Sequence, residues 1–273
     1  MKLLISVDME GISGVVNWEQ VKPGTSEWQR FRRIMTEEVN AAISGAIEAG
    51  VDQVLVADGH WNSDNIMIDL LDSRARLNYG TPSPFSMVHG IDQEVDIAFF
   101  IGYHARAGTQ AAILDHTWSN FNVANVWINE TLVGETGLNA AVCGQFGVPV
   151  LMISGDLAVT AEAKELIPEI HTVVVKQAAS RYAASCLHPK EAQILIREGA
   201  KFAIQAYQNV QGAQVFNVSQ PVHIKIEFKS TEMADKSQIV PDVQRLSSKQ
   251  MIFKSEDMAT AYRTFRTVVR MAG

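Results

Sequence analysis

The stretch from Met1 to His60 restricts the fold more than any other. A short apolar run, Leu3 to Val7, reads as a buried strand. Apolar residues then recur at helical spacing from about Glu27 to Ala49 (Phe31, Ile34, Met35, Val39, Ala42, Ile43, Ala46, Ile47), and Gly50 closes that helix. A second apolar run, Val51 to Ala57, follows at once. Strand, helix, strand in this order predicts a parallel βαβ unit with a right-handed crossover. Asp96 to Tyr103 and Val148 to Ser154 repeat the apolar pattern. The expected fold class is α/β, a mostly parallel sheet flanked by helices.

Between these runs the spacing predicts a short helix over Asn65–Leu71 and a short strand over Arg76–Tyr79. It predicts a hairpin of Val123–Asn129 and Thr131–Glu135 turning at Asn129-Glu130, then a small-residue helix over Leu138–Phe146. Further along, a helix is expected over Thr160–Leu166, a short strand over Thr172–Val175 and a helix around Ser180–Ala184. After that the pattern changes to a long helix from Pro189 to Asn209, an alternating strand over Val222–Phe228 and a terminal helix over Ser255–Val269. The expected division is a catalytic α/β region, residues 1–185, and a smaller C-terminal α/β lobe, residues 186–273. No Pro/Gly/Ser-rich linker marks that border, which leaves a single domain open as well.

Composition narrows the class of partner. The 273 residues carry a net charge of -7, which argues against nucleic acid or an anionic membrane as the main partner. The two cysteines, Cys143 and Cys186, do not make a disulfide framework, so a cytoplasmic setting is expected. The apolar run before Asp8 is too short for a signal peptide, and none approaches the ~20 residues of a membrane span.

In open α/β sheets ligands gather beyond the carboxyl ends of the strands. Three apolar runs end in ligand-type residues: Asp8 and Glu10, then Asp58 and His60, then His104. A strand's period of two puts Asp8 and Glu10 on one side, and Gly11 then lets the backbone turn. Two anions held together repel unless a proton, a cation or a metal sits between them. The hairpin adds His116 before it and Glu135 after it. Singly, each residue also fits an ordinary role: a capped turn, a core histidine, a solvated glutamate. Together, the mixture of imidazole and carboxylate suits Zn²⁺ or a similar divalent ion better than Mg²⁺ or Ca²⁺. Five such ligands exceed what one catalytic zinc needs. Metals ~3.5–4 Å apart, sharing a carboxylate such as Asp8, would activate one water for hydrolysis.

These residues also carry a resemblance. Ser6-Val7-Asp8-Met9-Glu10-Gly11 is similar to the S-x-D-x-E-G signature of the DppA-type zinc-dependent D-aminopeptidases. The similarity continues through Asp58-Gly59-His60, Gly102-Tyr103-His104, His116-Thr117, Asn129 and Gly134-Glu135-Thr136-Gly137-Leu138-Asn139-Ala140. Gly155-Asp156, Lys176 and Arg181 fit it too, and it covers the chain to about His188. The resemblance implies two zinc ions per subunit. Asp8 would bridge them, Glu10 and His60 would complete the first site, and His104 and Glu135 the second. It makes His116 the catalytic histidine, the substrate a short peptide with a free N-terminus, and the assembly a large ring, a decamer.

Other residues stay open at this point. Lys176 and Arg181 fit a substrate carboxylate, a subunit contact or a local ion pair. Asp58 fits either the support of a ligand histidine or a turn cap. Trp18 and Trp28 fit a substrate entrance or a contact between subunits. D- against L-residue preference is not fixed by any residue. Two rival functions remain beside the aminopeptidase: another dinuclear metal amidohydrolase, and a metal-containing binding or scaffold protein without turnover.

Overall fold

The expected βαβ opening forms the centre of the molecule. In the computed structural model, which describes residues 1–209 and 214–273, the first half runs β1 (Lys2–Val7), α1 (Ser26–Glu48), β2 (Gln53–Asp58), β3 (Ala75–Asn78), β4 (Ile97–Tyr103), β5 (Val123–Ile128), β6 (Thr131–Val133) and α2 (Glu135–Gln145). It continues with β7 (Val150–Asp156), α3 (Leu157–Leu166), β8 (His171–Ser180), β9 (Ala183–Cys186), α4 (Pro189–Asn209) and β10 (Val222–Phe228). The chain ends with α5 (Thr231–Ser237), β11 (Gln244–Arg245), β12 (Gln250–Ser255) and α6 (Met258–Ala272).

One sheet has the order β3-β2-β1-β4-β7-β8-β9 and is parallel except for the last pair. Its central strands are apolar on both faces because both faces are covered. Leu3, Ile5, Phe99 and Ile101 join the core beneath α1 and α4, and Leu4, Ala98 and Phe100 join the core on the other side. α1 and α4 approach so closely that a Cβ at Gly45 would lie 2.0 Å from the carbonyl oxygen of Arg197. The second sheet is antiparallel, with the order β11-β12-β10-β5-β6. Its apolar face packs with α2, α3 and α6 on the second core.

Several elements differ from the sequence expectation. Asn65–Leu71 forms turns, not a helix, because the buried carboxylate of Asp58 takes the N–H groups of Asn65 and Ile66. Ser180–Ala184 is not helical: the Ala-rich stretch turns back as β9 and pairs with an extended β8. α2 begins at Glu135 itself, earlier than expected. The terminal helix begins at Met258 behind an Asp257 cap, and Ser255 closes the unexpected strand β12. α5 and β11 are further additions. Residue 185 falls within β9, and the second sheet draws β5 and β6 from before it and the rest from after it. No helix among the described residues is long and apolar enough to cross a membrane.

Candidate metal centre

The strand order reverses direction at β1 and β4, and the crevice beyond their carboxyl ends is where such sheets place ligands. Two glycines bring the ends together. A Cβ on Gly11 would lie 2.0 Å from the carbonyl oxygen of Tyr103, and one on Gly102 would lie 2.3 Å from that of Asp8. Gly102 also has φ +73°, which favours glycine. Main-chain bonds from Asp8 N to Ile101 O (2.9 Å) and from Gly11 N to Gly102 O (2.8 Å) fix the junction. Met9 is buried in the core, and Asp8 and Glu10 both face His60.

All six residues singled out from the sequence meet here, and all are buried. His60 Nδ1 lies 3.1 Å from Asp8 Oδ1 and 3.0 Å from Glu10 Oε2. His104 Nε2 lies 3.3 Å from Asp8 Oδ2 and 3.2 Å from Glu135 Oε1. His116 Nε2 is 3.8 Å from Glu135 Oε1, with its ring stacked on His104 at 4.0 Å. Donor atoms of Asp8, Glu10 and His104 lie within 4.8 Å of one another, and so do those of His104, His116 and Glu135.

Each histidine has one ring nitrogen committed to a main-chain carbonyl. His60 Nε2 donates to Val21 O (2.8 Å), His104 Nδ1 to Ala105 O (3.0 Å) and His116 Nδ1 to Leu114 O (2.8 Å). A carbonyl only accepts, so these nitrogens carry the proton, and in a neutral ring the opposite nitrogen is a lone pair. For His60 and His104 that lone pair faces carboxylates. His104 Nε2 and Glu10 Oε2 are buried without a hydrogen bond in spite of their short approaches.

Electrostatics of the protein alone show the same tension. Burial pushes the Glu10 carboxyl up, and the Asp8 charge adds to it. Burial opposes ionisation of Asp8 as well, but the His104 and His60 imidazoles beside it hold its carboxyl well below the usual range. The two imidazoles are in turn pulled well above theirs against burial, His60 chiefly by the Glu10 charge and His104 by Glu135. Protons on these rings thus stand where divalent cations would stand, and binding a metal would displace them. Imidazole nitrogen with carboxylate oxygen, buried and unpartnered, fits zinc.

Contacts within the chain surround the residues left open above. Lys176 Nζ donates to the carbonyls of Glu10 (2.5 Å), Ile12 (2.8 Å) and Val15 (2.8 Å), so it ties down the loop after Asp8. Glu38 caps Ser13 N in the same loop (2.9 Å). Arg181 pairs with Asp115 at 2.7 Å and also reaches Asn120 (2.8 Å), so it is a local ion pair. Asp58 is a turn cap, and through Asn65, which donates to His60 O (2.6 Å), it steadies the His60 main chain. Trp18 lies edge-on to His116 at 5.5 Å, and Trp28 is buried with its indole N–H on Asn65 Oδ1.

A cavity of about 760 Å³ opens over the cluster. Besides the expected residues, Lys22, Trp61, Met87, Trp118 and Phe121 line it. The sequence held a partial signal for two of these, since Trp61 follows His60 and Trp118 stands two residues after His116. Trp61 (φ 51°) and Trp118 (φ 65°) adopt left-handed backbone, strain of a kind that collects at functional sites.

Comparison with known proteins agrees with this geometry. The chain is 40% identical over 273 residues to a D-aminopeptidase of Bacillus subtilis (strain 168), covering 100% of this chain and 98% of the relative. Its structure is similar to that of a Zn-dependent D-aminopeptidase, DppA, from Bacillus subtilis, described as a self-compartmentalizing protease. The TM-score is 0.95 at 38% identity, over 100% of this chain and 98% of that one. Residues 1–267 match the family described as D-aminopeptidase. With the carboxylates and histidines of the signature gathered at one crevice, the chain belongs to the D-aminopeptidase family of peptidases.

Proposed function

We propose that the protein is a dinuclear zinc aminopeptidase that removes residues from the free amino end of short peptides, with a preference for D-residues there. The observation that carries this reading is the division of Asp8 between two histidines. Its Oδ1 faces His60 and its Oδ2 faces His104, as a bridging carboxylate would. Glu10 and His60 would complete one site, and His104 and Glu135 the other. Zinc, when bound, supplies Lewis-acid polarisation of the peptide carbonyl and acidifies water toward neutrality.

His116 supplies the proton transfer. Its Nδ1–H is fixed on Leu114 O, and burial followed by the neighbouring His104 charge holds the imidazole well below its usual range. Nε2 therefore carries a free lone pair at neutral pH, in place to take a proton from the attacking water and return it to the leaving amine. Trp18, Trp61, Trp118 and Phe121 give the cavity apolar walls that hold a short peptide and limit access of water.

The similarity to a self-compartmentalizing protease supports a homo-oligomer, and the resemblance in the sequence a decamer. Exposed Ile68, Phe202 and Ile239 give apolar surface for such contacts. Free Cys143 and Cys186 support a cytoplasmic location, and the net charge of -7 supports neither nucleic acid nor membrane as partner. All five ligands precede residue 185, which supports 1–185 as the catalytic region. Residues 186–273 then form a supporting lobe that completes the second sheet.

The test is metal analysis joined to a paired assay on one preparation. Two zinc ions per chain, hydrolysis of free-amine peptides, no hydrolysis of N-acetylated ones and faster turnover of the D-series are expected. Zinc without turnover of any peptide would favour the scaffold reading. Equal turnover of N-acetylated substrates would favour a general amidohydrolase.

A further inference from the structure

A second groove, of about 770 Å³, continues from the cavity over the metal residues; the two share Trp61, Asn62, Ser86, Trp118 and Ser119. Its far wall is α6, which presents Arg263, Arg266 and Arg270 to it. These three stand at i, i+3 and i+7, on one face of a helix that contains no Asp or Glu. Like charges at such spacing repel. Among the described residues none of the three pairs with a carboxylate. Arg266 is anchored by Nη1 on the carbonyls of Ser83 and Pro84 (2.8 Å each), whereas the hydrogen bond of Arg263 among the described residues is a long one to Thr260 Oγ1, at 3.4 Å. Three cations with no carboxylate partner among the described residues, on a protein of net charge -7, mark a place for an anion.

We infer that this groove binds the C-terminal carboxylate of the peptide substrate, with Arg263 and Arg270 as the recognising residues and Arg266 as their fixed neighbour. The inference rests on the aminopeptidase reading. If the amino end is cleaved over the metal residues, the rest of the peptide must leave along a continuous groove, and its carboxylate arrives last. Guanidinium groups match a carboxylate through paired N–H donors. The tryptophans at the junction, Trp61 and Trp118, offer apolar contact to the residues between. An extended peptide advances ~3.3–3.6 Å per residue, so peptides too short to reach from the metal residues to α6 gain nothing from the arginines.

The experiment compares zinc-loaded wild type with the double variant Arg263→Gln/Arg270→Gln, which leaves the Arg266 anchor intact. The substrates are a tetrapeptide with a free C-terminus, its C-terminal amide, and the amide ending in glutamate. Wild type should favour the free acid over the amide by roughly tenfold in kcat/KM, mainly through KM. In the double variant that ratio should fall to near one, and 0.5 M salt should lower it in wild type. A ratio near one in wild type, or an unchanged ratio in the variant, overturns the inference while hydrolysis itself upholds the aminopeptidase reading. A response confined to the glutamate-ended amide overturns it in favour of a side-chain carboxylate. No hydrolysis of any of the three by wild type overturns both.

Discussion

The ammonium of Lys176 on β8, 166 residues further along the chain, donates to the main-chain carbonyl of Glu10 at 2.5 Å. It has three N–H donors and three carbonyl acceptors, so every bond is used. Burial pulls its pKa down to about 8, which still leaves it charged at neutral pH. Lys176→Met strands three buried carbonyls and frees the loop that carries Glu10. A loss of about 3 kcal/mol or more is expected, together with weaker zinc binding. Urea denaturation and metal titration check it; an unchanged midpoint with unchanged zinc affinity would refute the role.

Glu38 gives a pH signature. Burial raises its carboxyl from 4.5 to about 7. Between those values the folded chain keeps a proton that the unfolded chain has lost, so stability falls as pH rises through the window. Glu38→Gln removes the titration while keeping an acceptor for Ser13 N. With zinc chelated from both proteins, wild type should lose about 3 kcal/mol relative to the variant between pH 4.5 and pH 7. Parallel urea curves across that range would contradict the assignment.

Metal stoichiometry separates the ligand roles. His60→Ala removes a group that only the Asp8–Glu10 side touches, so one zinc per chain should remain, held by His104 and Glu135. Asp8→Ala removes the group common to both sides, and near-complete loss of zinc is expected. Elemental analysis after gel filtration reads both, and equal zinc in the two variants would rule out a bridging Asp8.

His116→Ala tests proton transfer against ligation. A drop of roughly 10²–10⁴ in kcat with little change in KM is the general acid–base expectation. Zinc content should stay at the wild-type value. If one zinc is lost with the imidazole, His116 belongs with His104 and Glu135 as a ligand, since their donor atoms already lie within 4.8 Å.

The sheet and the cluster of carboxylates and histidines at its edge were legible because they are written locally. Apolar runs at β1, β2, β4 and β7 are long and bounded, and each residue expected as a ligand follows within a few residues of a strand end. Elements set by distant partners were not. The Ala-rich stretch over Ser180–Ala184 has helical propensity, but pairing of Lys176 with Cys186 and of Gln177 with Ser185 overrides it. Asn65–Leu71 has helical spacing, but one buried carboxylate, Asp58, dictates turns. Strand β12 alternates buried and less buried residues, yet its six residues give little signal without β10 beside it. Nothing in the sequence marked the arginines of α6; only the fold sets them beside the cavity.

The pairing of β5 with β10 joins residues about one hundred positions apart. The hairpin that hands Glu135 to the crevice therefore lacks its neighbour until the last third of the polypeptide has left the ribosome. Asp8, Glu10 and His60 emerge first but cannot form a complete dinuclear pair alone. Filling of both metal sites is thus expected to wait until β10 has been made and paired with β5.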